Sequence, residues 1–253
     1  MKLKQINHND LKFLVREGTS DYKAFKEVIL NDDYQKKNFK ILPQETWIDM
    51  GVNVGAFSVL ALSKGCKVVG FEPDPLCANM AEKNVELNDL QKNYKLHKAG
   101  IVASKQKEGH LHLNTRGGNV WRNSFLKEWK GGKTIKVPLL NYKDFIEQDI
   151  CIKMDIEGSE FEILEDMVEN PAVLKDIKKL VFEWSFDIDP SLPRFCNVID
   201  KLKQHYNVEF GVSDERYHRV FKKEPKWKDT WFPACITVFC MKKWVKKRKR
   251  EDL

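Results

Sequence analysis

The chain predicts an α/β fold: a Rossmann-like, seven-stranded, mostly parallel sheet with helices on both faces. Three observations carry this. Short apolar runs alternate with helix-length amphipathic segments along most of the 253 residues, the pattern of strands joined by crossover helices. A tight turn holding Gly51, Asn53 and Gly55 lies between an apolar strand and a helix, where glycine permits positive φ and close backbone approach. A second apolar strand then ends in an acid, Glu72. A glycine turn, a helix and a strand ending in a carboxylate form the layout of a nucleoside site in such sheets.

The elements follow in order. Residues 11–16 read as a short strand and 21–31 as a helix, with Ser20 as a plausible N-cap. They precede the first core strand, so residues 1–45 form an N-terminal addition. The core continues as strand 46–50, helix 55–64, strand 67–72, helix 75–88 and strand 94–101. Residues 107–141 form an insert between strands three and four, irregular apart from strands at 109–113 and 134–140. Trp121, Arg122 and Trp129 lie in it, where a substrate could be gripped. The fourth strand, 149–155, ends in Asp155, and a helix starts at about Ser159. Strand 179–184, helix 194–206 and strands 207–212 and 235–241 complete a single domain, residues 1–241.

Hydrophobic residues at 42% support a sizeable core and charged residues at 32% suit a water-exposed surface. No apolar run approaches the ~20 residues of a membrane span, and the polar start does not read as a secretory signal. Six scattered cysteines without a Cys-x-x-Cys pair read as reduced, buried thiols of an intracellular protein rather than a disulfide frame or zinc site. The expected location is therefore cytoplasmic. The net charge of +7 is concentrated in residues 242–253, which hold Lys242, Lys243, Lys246, Lys247, Arg248, Lys249 and Arg250. This basic tail could serve nuclear import, nucleic acid or an anionic surface, or be plain solvated chain. The rest of the chain is nearly balanced.

Three motifs in order give the chain a family resemblance: Asp49-x-Gly51-x-Asn53-x-Gly55, then Gly70-Phe71-Glu72-Pro73, then Lys153-Met154-Asp155-Ile156-Glu157-Gly158-Ser159-Glu160. Together they resemble the FkbM type of class I S-adenosylmethionine-dependent methyltransferase. A nicotinamide enzyme would instead show Gly-x-Gly-x-x-Gly after its first strand. The resemblance implies S-adenosyl-L-methionine as cofactor. It places Gly51 and Gly55 beside the methionine part and Asp49 on the cofactor's ammonium or a water. Asn53 would turn toward its carboxylate, or act as an Asx-type turn stabiliser. Glu72 would hold the ribose hydroxyls, Pro73 would fix the chain leaving the strand, and Ala99 would flank the adenine. Thr19, Ser20 and Asp21 also resemble the family's N-terminal pattern and are expected to cap the cofactor or, equally, the helix. Asp155 would point between cofactor and acceptor.

The expected chemistry is O-methyl transfer to a hydroxyl of a sugar or glycan. Asp155 is the first candidate for base or acceptor orienter, with Glu183 and Glu157 next, because a hydroxyl becomes a good nucleophile only as it loses its proton. Glu160 fits simple helix-start chemistry. His97, His112 and His218 are alternative bases. No metal ligand is assigned; an oxygen-rich cluster suits Mg²⁺, but the metal-free reading is favoured. The aromatic stretch 217–232 would suit a sugar ring. The alternatives are ribose 2'-O-methylation of RNA with help from the basic tail, and a non-catalytic binding subunit of the same fold.

Overall fold

A computed structural model describes residues 2–114, 123–126, 128, 131–186, 188, 191–211 and 235–243. Strands β1 (Leu3–His8) and β2 (Leu11–Arg16) form an antiparallel hairpin. The polar and mostly exposed β1 carries no alternating apolar signal, so its sequence alone did not mark it as a strand. Helix α1 (Asp21–Phe25) runs on into a π-helical turn, Lys26–Leu30. The core then runs β3 (Thr46–Met50), α2 (Ala56–Ser63), β4 (Lys67–Phe71), α3 (Pro75–Glu86) and β5 (Tyr94–His97). β6 (Gly100–Val102) follows, and the insert contributes β7 (Glu108–Leu113) and β8 (Lys133–Asn141). The second half is β9 (Ile150–Met154), α4 (Glu160–Glu169), β10 (Ile177–Ser185), α5 (Leu192–His205), β11 (Tyr206–Gly211) and β12 (Cys235–Lys242).

The main sheet has seven strands in the order β11-β12-β10-β9-β3-β4-β5. β5, β4, β3, β9 and β10 are parallel, and β12 runs antiparallel between β10 and β11. Alternate residues of the central strands feed two cores. Ile48, Met50, Ile152, Met154, Leu180 and Phe182 join α4 and α5 on one face. Trp47, Cys151 and Val181 join α2, α3 and the N-terminal addition on the other. Central strands buried on both faces are mainly apolar, and the charges they hold, such as Asp49 on β3 and Lys153 on β9, are buried.

The expected strand 94–101 is two strands. β5 stays in the main sheet, whereas β6 joins a separate three-stranded sheet, order β6-β8-β7. The division lies at His97, whose carbonyl accepts both Glu72 N–H at 3.1 Å and Ala99 N–H at 2.9 Å. Beyond it, Gly100 passes under Phe125 and Leu139, leaving no space for a side chain; a Cβ there would lie 2.5 Å from the Phe125 ring.

The N-terminal addition is fastened to the core by buried polar groups. Asn84, fully buried on α3, accepts from Leu14 N–H at 2.6 Å and donates to the Leu14 and Val54 carbonyls at 3.1 and 2.9 Å. Asp21 is gripped by Arg16 through Nε and Nη2, both at 2.8 Å, and accepts the Arg16 N–H at 2.9 Å. Burial works against the guanidinium charge, but Asp21 and Cys77 outweigh it and raise its proton affinity. Thr19 Oγ1 donates to the Arg16 carbonyl, and the Ser20 side chain makes no cap hydrogen bond. Thr19 and Asp21 therefore secure a turn, and neither they nor Ser20 lines the cavity described below. Asp21→Ala strands a buried arginine and is expected to cost about 3–5 kcal/mol of unfolding free energy, measurable by urea denaturation.

Four cysteines, Cys66, Cys77, Cys151 and Cys240, are buried free thiols; Cys196 is exposed and Cys235 half-buried. The expectation of buried thiols thus fails for two. No helix among the described residues is long and apolar enough to cross a membrane.

Candidate active site

A cavity opens at the carboxyl edge of β3, β4 and β9, where parallel sheets of this kind receive ligands. Its floor is the turn after β3. Gly51, Asn53 and Gly55 have φ of +84°, +54° and +87°, positive at every second residue. The two glycines are required by close packing. A Cβ on Gly51 would lie 1.9 Å from the Asp155 carbonyl oxygen, and one on Gly55 would lie 3.0 Å from the Ala81 Cα on α3. Gly51 lines the cavity, but Gly55 does not; it brings α2 against α3. Asn53 takes the left-handed conformation that asparagine tolerates best among residues with a side chain.

Asp49 does not reach the cavity. It is fully buried, accepts from Ser58 Oγ at 2.7 Å, and lies 3.1 Å from Lys153 Nζ, its register neighbour on β9. Where the expectation put the cofactor's ammonium or a water, the partners among the described residues are Ser58 and Lys153. A carboxylate at the end of an apolar strand must be used or paired, and here it is paired. Lys153 also donates to the Gly51 carbonyl at 2.6 Å. Burial disfavours its charge, but Asp49 and Asp155 more than compensate and raise its proton affinity. The ion pair thus pins the glycine turn to β9.

Glu72, buried at the end of β4, accepts Asn53 N–H at 2.7 Å on one oxygen and Asp74 N–H at 2.9 Å on the other. Burial pushes its carboxyl up to about 7, against those two hydrogen bonds and with the help of nearby Asp74. Each oxygen retains a further lone pair, and Glu72 and Pro73 both line the cavity. Ala99 lines it together with the apolar residues Phe71, Ile101, Leu111 and Phe125. Asn123 and Ser124 of the insert secure the roof. Asn123 Nδ2 donates to Asp74 Oδ2 at 3.0 Å, and Ser124 Oγ donates to the Glu157 carbonyl at 2.6 Å.

Asp155, Glu157 and Glu183 line the same cavity. Asp155, just beyond β9, donates its N–H to the Met50 carbonyl at 3.1 Å, which holds its backbone against the glycine turn. Glu157 has φ +54° and Gly158 φ +114°, folding the chain sharply into α4. Glu160, fully buried, closes that loop by accepting the Ile156 and Gly158 N–H groups at 2.5 and 2.6 Å. Burial and the neighbouring Asp155 push its carboxyl up to about 8. Its role is to shape the loop.

Tyr34, in the addition, belongs to none of the three motifs. Its hydroxyl donates to Asp155 Oδ2 at 2.7 Å and its ring meets Phe57 edge-on. The polar run Asn31-Asp32-Asp33-Tyr34 before the first core strand was the available signal. His97 is stacked on Phe71 and His112 bonds Thr134 on β8; neither lines the cavity. His218, Trp121, Arg122, Trp129, the stretch 217–232 and tail residues 244–253 lie outside the described residues. Among the described residues no three His, Cys, Asp or Glu side chains group as a metal site.

The model of the methyltransferase FkbM domain matches residues 49–210, well over half of the chain and all three motifs. The chain belongs to this family. The FkbM domain is an S-adenosylmethionine-dependent methyltransferase domain. Among curated proteins, methyltransferase sdnD of Sordaria araneosa is 25% identical, covering 57% of this chain and 68% of its own length. The tRNA (uracil(54)-C(5))-methyltransferase of Pyrococcus furiosus is 38% identical over 55 residues, 22% of this chain and 13% of that protein. Among solved structures, the Pyrococcus abyssi tRNA (uracil-54, C5)-methyltransferase in complex with S-adenosyl-L-homocysteine aligns at a TM-score of 0.48. It is 13% identical, with 95% of this chain and 44% of that one covered.

The cavity fits the cofactor that the family implies. Asn53 Oδ1 is shielded from solvent and has no donor partner among the described residues, a cost unless a ligand donates to it. Glu72 keeps a further accepting lone pair on each oxygen and lines the cavity together with the apolar residues Phe71, Ala99 and Leu111.

Proposed function

We propose that this FkbM domain transfers the methyl group of S-adenosyl-L-methionine to a hydroxyl of a sugar or glycan. One observation carries the reading: Glu72, on the cofactor side, and Asp155, on the acceptor side, open into a single cavity across the glycine turn. The cofactor, when bound, supplies an electrophilic methyl group on a sulfonium. Residues 1–241 act as one domain for this, with residues 242–253 as an appended basic tail.

Each residue has a task. Glu72 accepts from the ribose hydroxyls, and Gly51, Asn53, Pro73 and Ala99 shape the surface along the cofactor. Asp49 and Gly55 act indirectly, through Lys153 and α3. Asp155 accepts the proton of the acceptor hydroxyl as the methyl bond forms, a contribution of roughly 10²–10⁴-fold in rate for a placed base. Holding the oxygen in line supplies much of the remainder. Glu157 and Glu183 orient the acceptor. Three carboxylates around the acceptor accept hydrogen bonds from a polyol and repel a phosphate backbone, which favours the sugar over RNA.

The test is calorimetric titration with S-adenosylmethionine and S-adenosylhomocysteine, followed by transfer of labelled methyl to a panel of methyl glycosides and a short RNA. Binding of both ligands and labelling of a glycoside are expected. Labelling of RNA alone would overturn the acceptor, and absence of binding would overturn the cofactor.

A further inference from the structure

We propose that Tyr34, supplied by the N-terminal addition, is a positioning residue of the methyl-transfer site: its hydroxyl holds the Asp155 carboxylate in the cavity and away from Lys153. The inference rests on the cofactor reading above and extends it to a segment outside the matched domain, which begins at residue 49.

The geometry places one carboxylate between two competing partners. Tyr34 is 8% exposed, lines the cavity and donates to Asp155 Oδ2 at 2.7 Å. Lys153, two residues earlier near the end of β9, is 4% exposed, and its Nζ lies 5.6 Å from the centre of the Tyr34 ring. That ammonium is already committed to Asp49 at 3.1 Å and to the Gly51 carbonyl at 2.6 Å. A buried cation nonetheless attracts any second carboxylate able to turn toward it. The Tyr34 hydroxyl opposes that turn, and its ring, braced edge-on by Phe57 at 5.6 Å between centroids, stands against the ammonium. Asp155 is thereby kept as a negative charge facing the cavity, where both a cationic sulfonium and an acceptor proton would meet it.

The consequence can be read without an acceptor. S-adenosylmethionine carries a positive sulfur and S-adenosylhomocysteine a neutral one, so the ratio of their dissociation constants reports the charge facing that atom. Tyr34→Phe keeps the ring and removes only the hydroxyl. Asp155 then turns onto Lys153, and the ratio moves toward S-adenosylhomocysteine by roughly three- to tenfold, with the affinity for S-adenosylhomocysteine itself held within about twofold. Titration calorimetry on the full chain measures both constants, and a thermal melt accompanies it. An unchanged ratio overturns the inference. Equal loss of both affinities with a lowered melting temperature also overturns it, because Tyr34 would then be a packing residue. Asp155→Asn in the Tyr34→Phe background should add little further change in the ratio; a large one overturns the coupling. Failure of the wild-type chain to bind either ligand would instead bring down the cofactor reading, a result distinct from an unchanged ratio.

Discussion

Asp155→Asn is expected to lower turnover by roughly 10²–10⁴-fold, because the amide retains shape but cannot take a proton, while S-adenosylhomocysteine affinity stays within about twofold and S-adenosylmethionine affinity falls only by the roughly three- to tenfold that loss of the charge facing its sulfur accounts for. The amide oxygen of the variant would still accept from Tyr34, so the local fold should survive. The check is kcat with a labelled methyl donor beside calorimetry on the same preparation. Wild-type turnover would remove Asp155 from the chemistry and move Glu183 or Glu157 into its place, since both line the same cavity. A joint collapse of turnover and cofactor affinity would mean that Asp155 holds the cofactor more than the acceptor.

Glu72→Ala is expected to weaken S-adenosylmethionine binding by on the order of 100-fold. The ribose loses two hydrogen bonds to a buried carboxylate, and the Asn53 and Asp74 N–H groups lose their acceptor. Unchanged affinity by calorimetry would remove Glu72 from the site. The same residue predicts a pH dependence. With its carboxyl pushed up to about 7 by burial, Glu72 is partly protonated in the free protein at neutral pH. Ribose hydroxyls donate to the ionised form, so cofactor affinity should fall as pH drops below about 7, approaching tenfold per pH unit. Glu72→Gln should remove that slope. Stability runs in the opposite direction. Between the ordinary value of 4.5 and about 7, the folded state holds more proton on Glu72 than the unfolded state does. Its contribution to stability therefore declines as pH rises through this window.

The sequence made the main sheet legible because central parallel strands are buried on both faces and leave short, mainly apolar runs, as in residues 46–50, 149–155 and 179–184, broken only by single charged residues such as Asp49, Lys153 and Glu183. It did not reveal β1, whose side chains are largely exposed, nor the break between β5 and β6. That break depends on Phe125 and Leu139 arriving from distant parts of the insert. In the site, Glu72 and Asp155 were readable as acids ending apolar strands, where an unpaired carboxylate is costly. The same rule applied to Asp49 could not say which remedy was used, a ligand or a partner. The register Asp49↔Lys153 answered that with an ion pair.

By itself, then, the sequence determined the α/β class, the family motifs and the acids that end β4 and β9, because these are written in local periodicity and in residue types at strand ends. Only the tertiary structure decided which of those acids face the cavity. It paired Asp49 with Lys153, turned Glu160 back onto its own loop, and tied Thr19 and Asp21 to Arg16. It also brought Tyr34 to Asp155 across 121 positions of chain. Such choices depend on what packing places opposite each carboxylate, and that is settled by contacts between residues far apart in sequence.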